Sequence, residues 1–390
     1  MPMNIFYDNK NQEWQSLVKK PLNFGKNLLP LNYKNKPIGS CFLVKKINNK
    51  VGPLIGILAS RANGKDFYGN RSTFIKIQDQ LQKHGGISFV MTPERIDEVS
   101  VEGYFVDEGK WQKGLFPLPD IFYNRIASYH EEKSSEMRKV QEIANKNRIP
   151  IYNPHFFEKW ETYKHLIENN VIKYHLPETD IFTDKKQLEA WLEDHQSLFI
   201  KPVLSNQGNG ISVISKIEDK YVIKTNKWCK SFKNLDDAFA KVSESLRKRK
   251  AIIQRKVHLK EYEGNPYDFR ILVQRVKDTW LMSGIGVRCA KKGGVTTHVP
   301  QGGKIIPLIE VNQEINTDLI NKIAIATAHQ LERSYGYLCE FSIDLGIDTD
   351  DQHWIFEVNA KPMKFDEPDI EMKALNTLIQ CFYNDSGFGL

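Results

Sequence analysis

The run WIFEVNAKP, Trp354 to Pro362, is apolar except that it offers a carboxylate, Glu357, and an amide, Asn359, before it stops at a proline. Successive strand residues point to opposite faces, so these two, being two apart, look the same way. A carboxylate buried in such a strand asks for a cation, an arginine or water. On these nine residues alone, a strand with one solvated face serves as well as a strand that faces a ligand.

Working outward, Asp344 in FSIDLG has the same setting, a carboxylate inside an apolar strand. Asp344, Glu357 and Asn359 together make a set of hard oxygen donors, the kind that suits Mg²⁺ shared with phosphates. Upstream, FIKPVLSNQGNGISVI (199–214) puts Lys201 in an apolar strand and follows it with a small polar loop, Ser205 to Gly210, that includes Gln207 and Gly208. Glycines let backbone N–H groups wrap phosphate oxygens, and a nearby ammonium supplies charge. The stretch is not a P-loop, because no Gly-Lys-Ser/Thr follows the glycines. A flexible hairpin with a snorkelling lysine is the other reading. Between these pieces lie Arg270 in DFRILVQR and Arg288 in GIGVRCA. Strand arginines without local carboxylates suit the stabilisation of oxyanions, on a substrate carboxylate or a transferred phosphoryl group. Ion pairing with surface acids is the alternative for each.

The 390 residues, 41% hydrophobic, are enough for two or three domains with their own cores. No stretch approaches the roughly 18 apolar residues of a membrane span, and the N-terminus lacks a signal-peptide apolar region, so a cytoplasmic protein is expected. Five cysteines, Cys41, Cys229, Cys289, Cys339 and Cys381, stand singly, which points away from a disulfide framework or a zinc site. The formal charge of +7 fits nucleic acid or an anionic small ligand. Its most basic run, LRKRK (246–250), closes a helical pattern that begins behind a cap at Asn234. Cations suit the last turn of a helix, so this run reads as a solvated helix end. No aromatic residues interleave with basic ones as in a single-strand binder, which argues against nucleic acid.

After about fifty residues of short mixed strands, LIGILAS, TFIKIQDQLQKHGG, ISFVMT and PDIFYNRI alternate strand and helix, which predicts a largely parallel α/β sheet between about 52 and 150. The helix SEMRKVQEIANKN follows, and prolines at 150 and 154 mark a boundary. From Phe199 onward the pattern is strand-rich, with helices over NLDDAFAKVSESL and over about Asp318 to Tyr335, the latter stopped by Gly336. LCEFSIDLGID and HWIFEVNA read as paired strands.

The series GPLIGILAS, PDIFYNRI, FEKWETYKHL, LPET, FIKPVLSNQGNGISVI, IIQRKV, YDFRILVQR, GVR, GGK, SIDLG and EVNAKP resembles, in this order and over nearly the whole chain, the ATP-grasp superfamily, and most of all its YheC/YheD (endospore coat-associated) group. The resemblance implies an α/β (α+β) protein with an ATP-grasp fold and an N-terminal pre-ATP-grasp α/β domain. The implied division is a strand-rich segment over 1–51, the pre-ATP-grasp domain over 52–152 and the ATP-grasp domain over 153–390. It implies ATP and Mg²⁺ as cofactors. Lys159 and Lys201 would contact phosphate, and the Ser205–Gly210 loop would cover it. Gln254, Arg255, Lys256 and Val257 would form the hinge that holds adenine, and Asp268 would face the ribose. Arg270 and Arg288 would hold the substrate carboxylate or the forming acyl phosphate, with Asp344, Glu357 and Asn359 on magnesium.

The implied activity is a carboxylate-amine ligase acting on small-molecule or peptide substrates, with spore-coat proteins as partners and spore association alongside the cytoplasm. Two departures stand out. Glu158 replaces an aspartate common in relatives, and TTHVPQGG (296–303) replaces an Arg-Ser-Asn type sequence, which leaves His298 either as a substrate contact or as a plain loop histidine. A protein kinase also combines a glycine loop, a lysine and an Asp-x-Gly. Here the lysine precedes the loop, and no His-Arg-Asp segment lies between it and DLG. The competitor from another class is a nucleotide-binding scaffold that keeps the fold without turnover.

Overall fold

Apolar runs punctuated by glycine and asparagine give this chain four sheets in sequence order. The computed structural model describes residues 2–62, 64, 66–205, 209–311, 315–362 and 365–389. The first 52 residues supply a seven-stranded mixed sheet. It does not stand alone: Tyr7, Trp14 and Phe42 share one core with Phe89, Phe105 and Phe116 of the next sheet. Trp14 and Phe116 meet at 5.5 Å, and Tyr7 and Phe105 edge to face at 6.1 Å. Each large side chain so buried contributes roughly 1.5–3 kcal/mol.

In the second sheet Leu54–Leu58 pairs in parallel with Ile87–Met91 on one side and Ile121–Asn124 on the other. The helix Arg71–His84 makes the crossover; Asn70 caps it by accepting from Thr73 N, and Gly85 closes it at φ 77°. The expected parallel sheet is therefore present, but an antiparallel hairpin, Ser100–Asp107 with Lys110–Pro117, extends one edge. The helix Ser135–Asn147 then leads into the short strand Ile151–Tyr152.

The third sheet spans Thr179 to Arg255 and carries the helix Leu235–Leu246, capped by Asn234 as expected. The basic run leaves this helix through Arg247 at φ 49°, and Arg249 Nε donates to the carbonyl of Leu246 at 3.0 Å. The fourth sheet pairs the antiparallel strands Asn265–Val276, Thr279–Cys289, Glu340–Ile347 and His353–Asn359. The helix Thr317–Tyr335 shares its core and ends at Gly336, φ 80°.

Several polar contacts tie the fourth sheet to the second, among them the Tyr123 hydroxyl on Glu340 Oε1 at 2.6 Å and those of Asn153 and Lys361. Asn153, fully buried, accepts at Oδ1 from Cys339 N (2.9 Å) and donates from Nδ2 to Glu340 O (2.7 Å) and Ala360 O. Lys361, at the end of the EVNAKP run, donates to Ile126 O at 3.0 Å and pairs with the buried Glu132. The last helix, Pro368–Asp385, returns to the second sheet, where Leu378, Ile379 and Phe382 join Ile77, Leu81 and Tyr123. Its first turn rests on bare backbone: a Cβ at Gly284 would come within 2.4 Å of Ile370, and one at Gly286 within 2.5 Å of Glu367. No helix among the described residues is long and apolar enough to cross a membrane.

Candidate active site

Register alone assembles one face of the fourth sheet. Asp268 lies opposite Arg288, Arg270 opposite both Gly286 and Asp344, Asp344 opposite Glu357, and Ser342 opposite Asn359. Directly opposed residues of neighbouring strands share a face, as do residues two apart. Asp268, Arg270, Arg288, Asp344, Glu357 and Asn359 therefore lie side by side. The ladder slips between Asp344 and Leu345, leaving Phe356 as an extra residue. That bulge lets two consecutive residues, Phe356 and Glu357, line the same cleft.

The cleft, about 1050 Å³, runs between the third and fourth sheets. Its walls include Lys201, Ile211, Val213, Lys256, Val257 and Asp268, together with Asp344, Glu357 and His298. Of the four residues expected at the hinge, Lys256 and Val257 line it, whereas Gln254 and Arg255 do not. Gln254 is buried between Lys201 Nζ, which donates to its Oε1 at 2.5 Å, and Thr179 Oγ1 at 2.9 Å, and Arg255 lies over the Trp354 ring.

Both expected lysines feel the strand acids. Lys159 Nζ stands 3.0 Å from Glu357 Oε1 and donates to Ser205 O at 2.8 Å, so it joins the carboxylate strand to the start of the polar loop. Lys201 is buried; its desolvation and the neighbouring Lys159 outweigh Glu357 and Asp344 and bring its pKa down to about 8. Gln207 and Gly208 lie outside the described residues. Gly210, at φ 79°, has Arg249 Nη2 only 3.0 Å from where its Cβ would stand. The basic run read as a solvated helix end thus also places a guanidinium against the loop.

The arginines differ from the expectation of strand cations without local carboxylates. Arg288 donates from Nε and Nη2 to both oxygens of Asp268 at 2.9 Å, and its Nη2 also stands 3.2 Å from Asp344 Oδ1. Burial disfavours its charge, but Asp268 and Asp344 outweigh that and push its pKa above the ordinary value. Asp268 accepts in addition from Thr297 Oγ1 at 2.5 Å, so both its oxygens are bonded within the protein while the residue lines the cleft. Burial would raise Asp344, yet Arg288, Arg270 and His298 hold it below the usual carboxylate value. Arg270 makes one long contact, 3.4 Å to Ser342 Oγ, with its guanidinium 6.0 Å from the Phe365 ring centre.

Three buried atoms on this face have no hydrogen-bond partner: Arg270 Nε, Arg288 Nη1 and Asp344 Oδ1, the last despite its ion-pair distance to Arg288. An orphaned buried group costs about 1–3 kcal/mol, so three at one place mark a site shaped for something else. An anion would satisfy the nitrogens. A hard cation would satisfy the carboxylate oxygen, and Asp344, Glu357 and Asn359 form a donor set that fits magnesium. Sequence reasoning missed the reach of Arg249 and Thr297, and left His298 open. The histidine lies here: its ring nitrogen and the carboxylates of Asp344 and Glu357 come within 4.8 Å of one another.

A family model described as YheC/D-like ATP-grasp matches residues 148–382. The endospore coat-associated protein YheD of Bacillus subtilis is 27% identical over 330 residues, covering 80% of this chain and 73% of the relative. YheC of the same organism is 21% identical over 287 residues, 70% of this chain and 78% of its own length. Among solved structures, D-alanyl-alanine synthetase A from Vibrio cholerae superposes with a TM-score of 0.55 at 12% identity, over 86% of this chain and 99% of that one. VanG D-Ala:D-Ser ligase from Enterococcus faecalis does so at 0.50 and 12%, over 85% and 99%. Together with the mixed helices and strands, these likenesses show the α+β ATP-grasp fold that the ordered motifs imply.

Proposed function

We infer, from a chain that belongs to the YheC/D-like ATP-grasp family, that this protein is an ATP- and Mg²⁺-dependent ligase joining a carboxylate to an amine. The observation that carries the reading is that Lys201 and the two strand carboxylates line one cleft, with Lys159 paired to Glu357 and with three buried atoms of Arg270, Arg288 and Asp344 left without hydrogen bonds on the same strand face. A resident structural network would have satisfied its own atoms.

In this reading Lys159 and Lys201 hold the triphosphate, the Ser205–Gly210 loop covers it, and Lys256 and Val257 flank the adenine. Asp344, Glu357 and Asn359 would hold Mg²⁺, whose charge would offset that of the phosphates. The substrate carboxylate takes the γ-phosphoryl group, leaving ADP and an acyl phosphate. The amine then adds to the acyl carbon, loses a proton and expels phosphate to leave an amide. The contribution of the protein is positioning and preorganised charge: Arg270 Nε and Arg288 Nη1 are donors already fixed and unspent. The reading divides the chain as above, with residues 153–390 as the catalytic domain.

The test is ADP release by purified protein with pools of amino acids, peptides and cell-wall fragments. Release that depends on one acid and one amine, with the amide as product, supports a ligase; ATP binding with no release across all pools rejects it. The second reading, a nucleotide-binding protein without turnover that partners spore-coat proteins, draws on the coat-associated names of the relatives. Co-purification with coat proteins alongside that negative result would favour it. Cytoplasmic residence with spore association belongs to both readings.

A further inference from the structure

His298 sits in a loop that the fold holds from both sides. Its own carbonyl accepts from Gln301 N (2.9 Å) and Gly303 N (3.2 Å), closing a turn that ends at Gly302, φ 95°. On the other side Thr297 is bonded to Asp268, and Thr296 Oγ1 accepts from Asn226 Nδ2 at 3.0 Å. Gly303 cannot be exchanged within this turn, because a Cβ there would fall 2.1 Å from Thr297 O. The imidazole is thereby carried to Asp344 and Glu357, and among the described residues this is the one trio of ligand-type side chains within 4.8 Å. Beside it Asp344, 97% buried, keeps Oδ1 without a hydrogen bond, although the Arg288 guanidinium stands at ion-pair distance. Atoms about 2.1 Å from one ion stand about 3.0 Å apart when cis and about 4.2 Å apart only as a trans pair, so closing the trio on an ion takes side-chain shifts on the order of an ångström.

We propose that His298 is a direct ligand of the divalent ion held by Asp344 and Glu357, and that its nitrogen makes this site prefer Mn²⁺ to Mg²⁺. The proposal rests on the reading that an ion sits on these two carboxylates. The chemical ground is ligand type. Mg²⁺ takes oxygen donors almost exclusively and dehydrates reluctantly, whereas imidazole favours first-row transition ions. A site of oxygens alone suits both ions and favours Mn²⁺ only modestly, and an imidazole nitrogen widens that gap.

The test uses the full chain with Mn²⁺ and ADP, followed by electron paramagnetic resonance, with Mg²⁺ as competitor. Wild-type protein is expected to bind Mn²⁺ well over tenfold tighter than Mg²⁺, and His298→Ala to narrow that ratio about tenfold while Mg²⁺ affinity changes little. An unchanged preference in His298→Ala overturns the proposal. Spin-echo modulation from a directly bound nitrogen on Mn²⁺ is expected in the wild type, and its absence there overturns the proposal without any variant. Glu357→Gln separates the two levels. Loss of both ions in that variant with an unmoved preference in His298→Ala leaves the metal reading standing and removes only His298. Retention of both ions in Glu357→Gln removes the ion from these carboxylates, and the proposal with it.

Discussion

Replacing Arg288 removes the partner of two buried carboxylates at once. Arg288→Ala leaves Asp268 and Asp344 facing each other without their shared cation, so a loss of about 3–5 kcal/mol in urea unfolding is expected before any catalytic question arises. Arg270→Ala is the cleaner probe: its single long contact predicts a stability change under about 1 kcal/mol, with turnover falling far more than ATP affinity if it holds the developing charge. Glu357→Gln keeps its shape and loses a charge. The Mg²⁺ concentration for half-maximal ADP formation should rise while the apo melting temperature stays close to that of the wild type, and an unmoved Mg²⁺ requirement would contradict the metal role. For Lys201, the folded pKa of about 8 lies below the ordinary 10.5, so between these values the unfolded chain binds the extra proton and stability rises with pH. Lys201→Met should abolish that rise, worth on the order of 3 kcal/mol in unfolding measured from pH 7 to 10.5. The polar residues inside apolar strands were legible in the sequence because each is out of place there. The Arg288–Asp268 pair was not, since it joins positions 20 apart through a register that no local pattern specifies.

At the level of elements, the bulge beside Asp344 and the bare backbone at Gly284 and Gly286 matter most. Gly284→Ala drives a methyl into Ile370 and should cost about 1–3 kcal/mol by loosening the first turn of the last helix. Gly336→Ala meets nothing within 4 Å, so its cost, about 1–3 kcal/mol, would reflect only the backbone at φ 80° and ψ −144°, a region kept almost wholly for glycine. Paired thermal melts distinguish packing from conformation. Helices with a cap and a terminal glycine were legible to within a residue or two. The 100–117 hairpin escaped because its two-residue turn is Glu108–Gly109 at φ 47° and 75°, a left-handed pair without the usual asparagine or aspartate as a cue. The return of Pro368–Asp385 to the second sheet escaped for another reason: an amphipathic helix announces that it has an apolar face, not which distant surface will cover it.

For the whole molecule, a ligand seated between two sheets stabilises by linkage. Saturating Mg·ATP at a hundredfold above its dissociation constant should add about 2.7 kcal/mol, visible as a rise in melting temperature, and no shift would reject both the ligase and the scaffold readings. The alternation of strand and helix over 52–150 could be read from the sequence, but the sharing of cores could not, because Tyr7 and Phe116 meet only once two sheets have stacked. Asn153 and Lys361 carry one more consequence. They fasten both ends of the Asp344–Glu357 hairpin to the second sheet through buried polar bonds, so those acids travel with the N-terminal half. Any change in the width of the cleft would then fall to its other wall, the 179–255 lobe that bears Lys201.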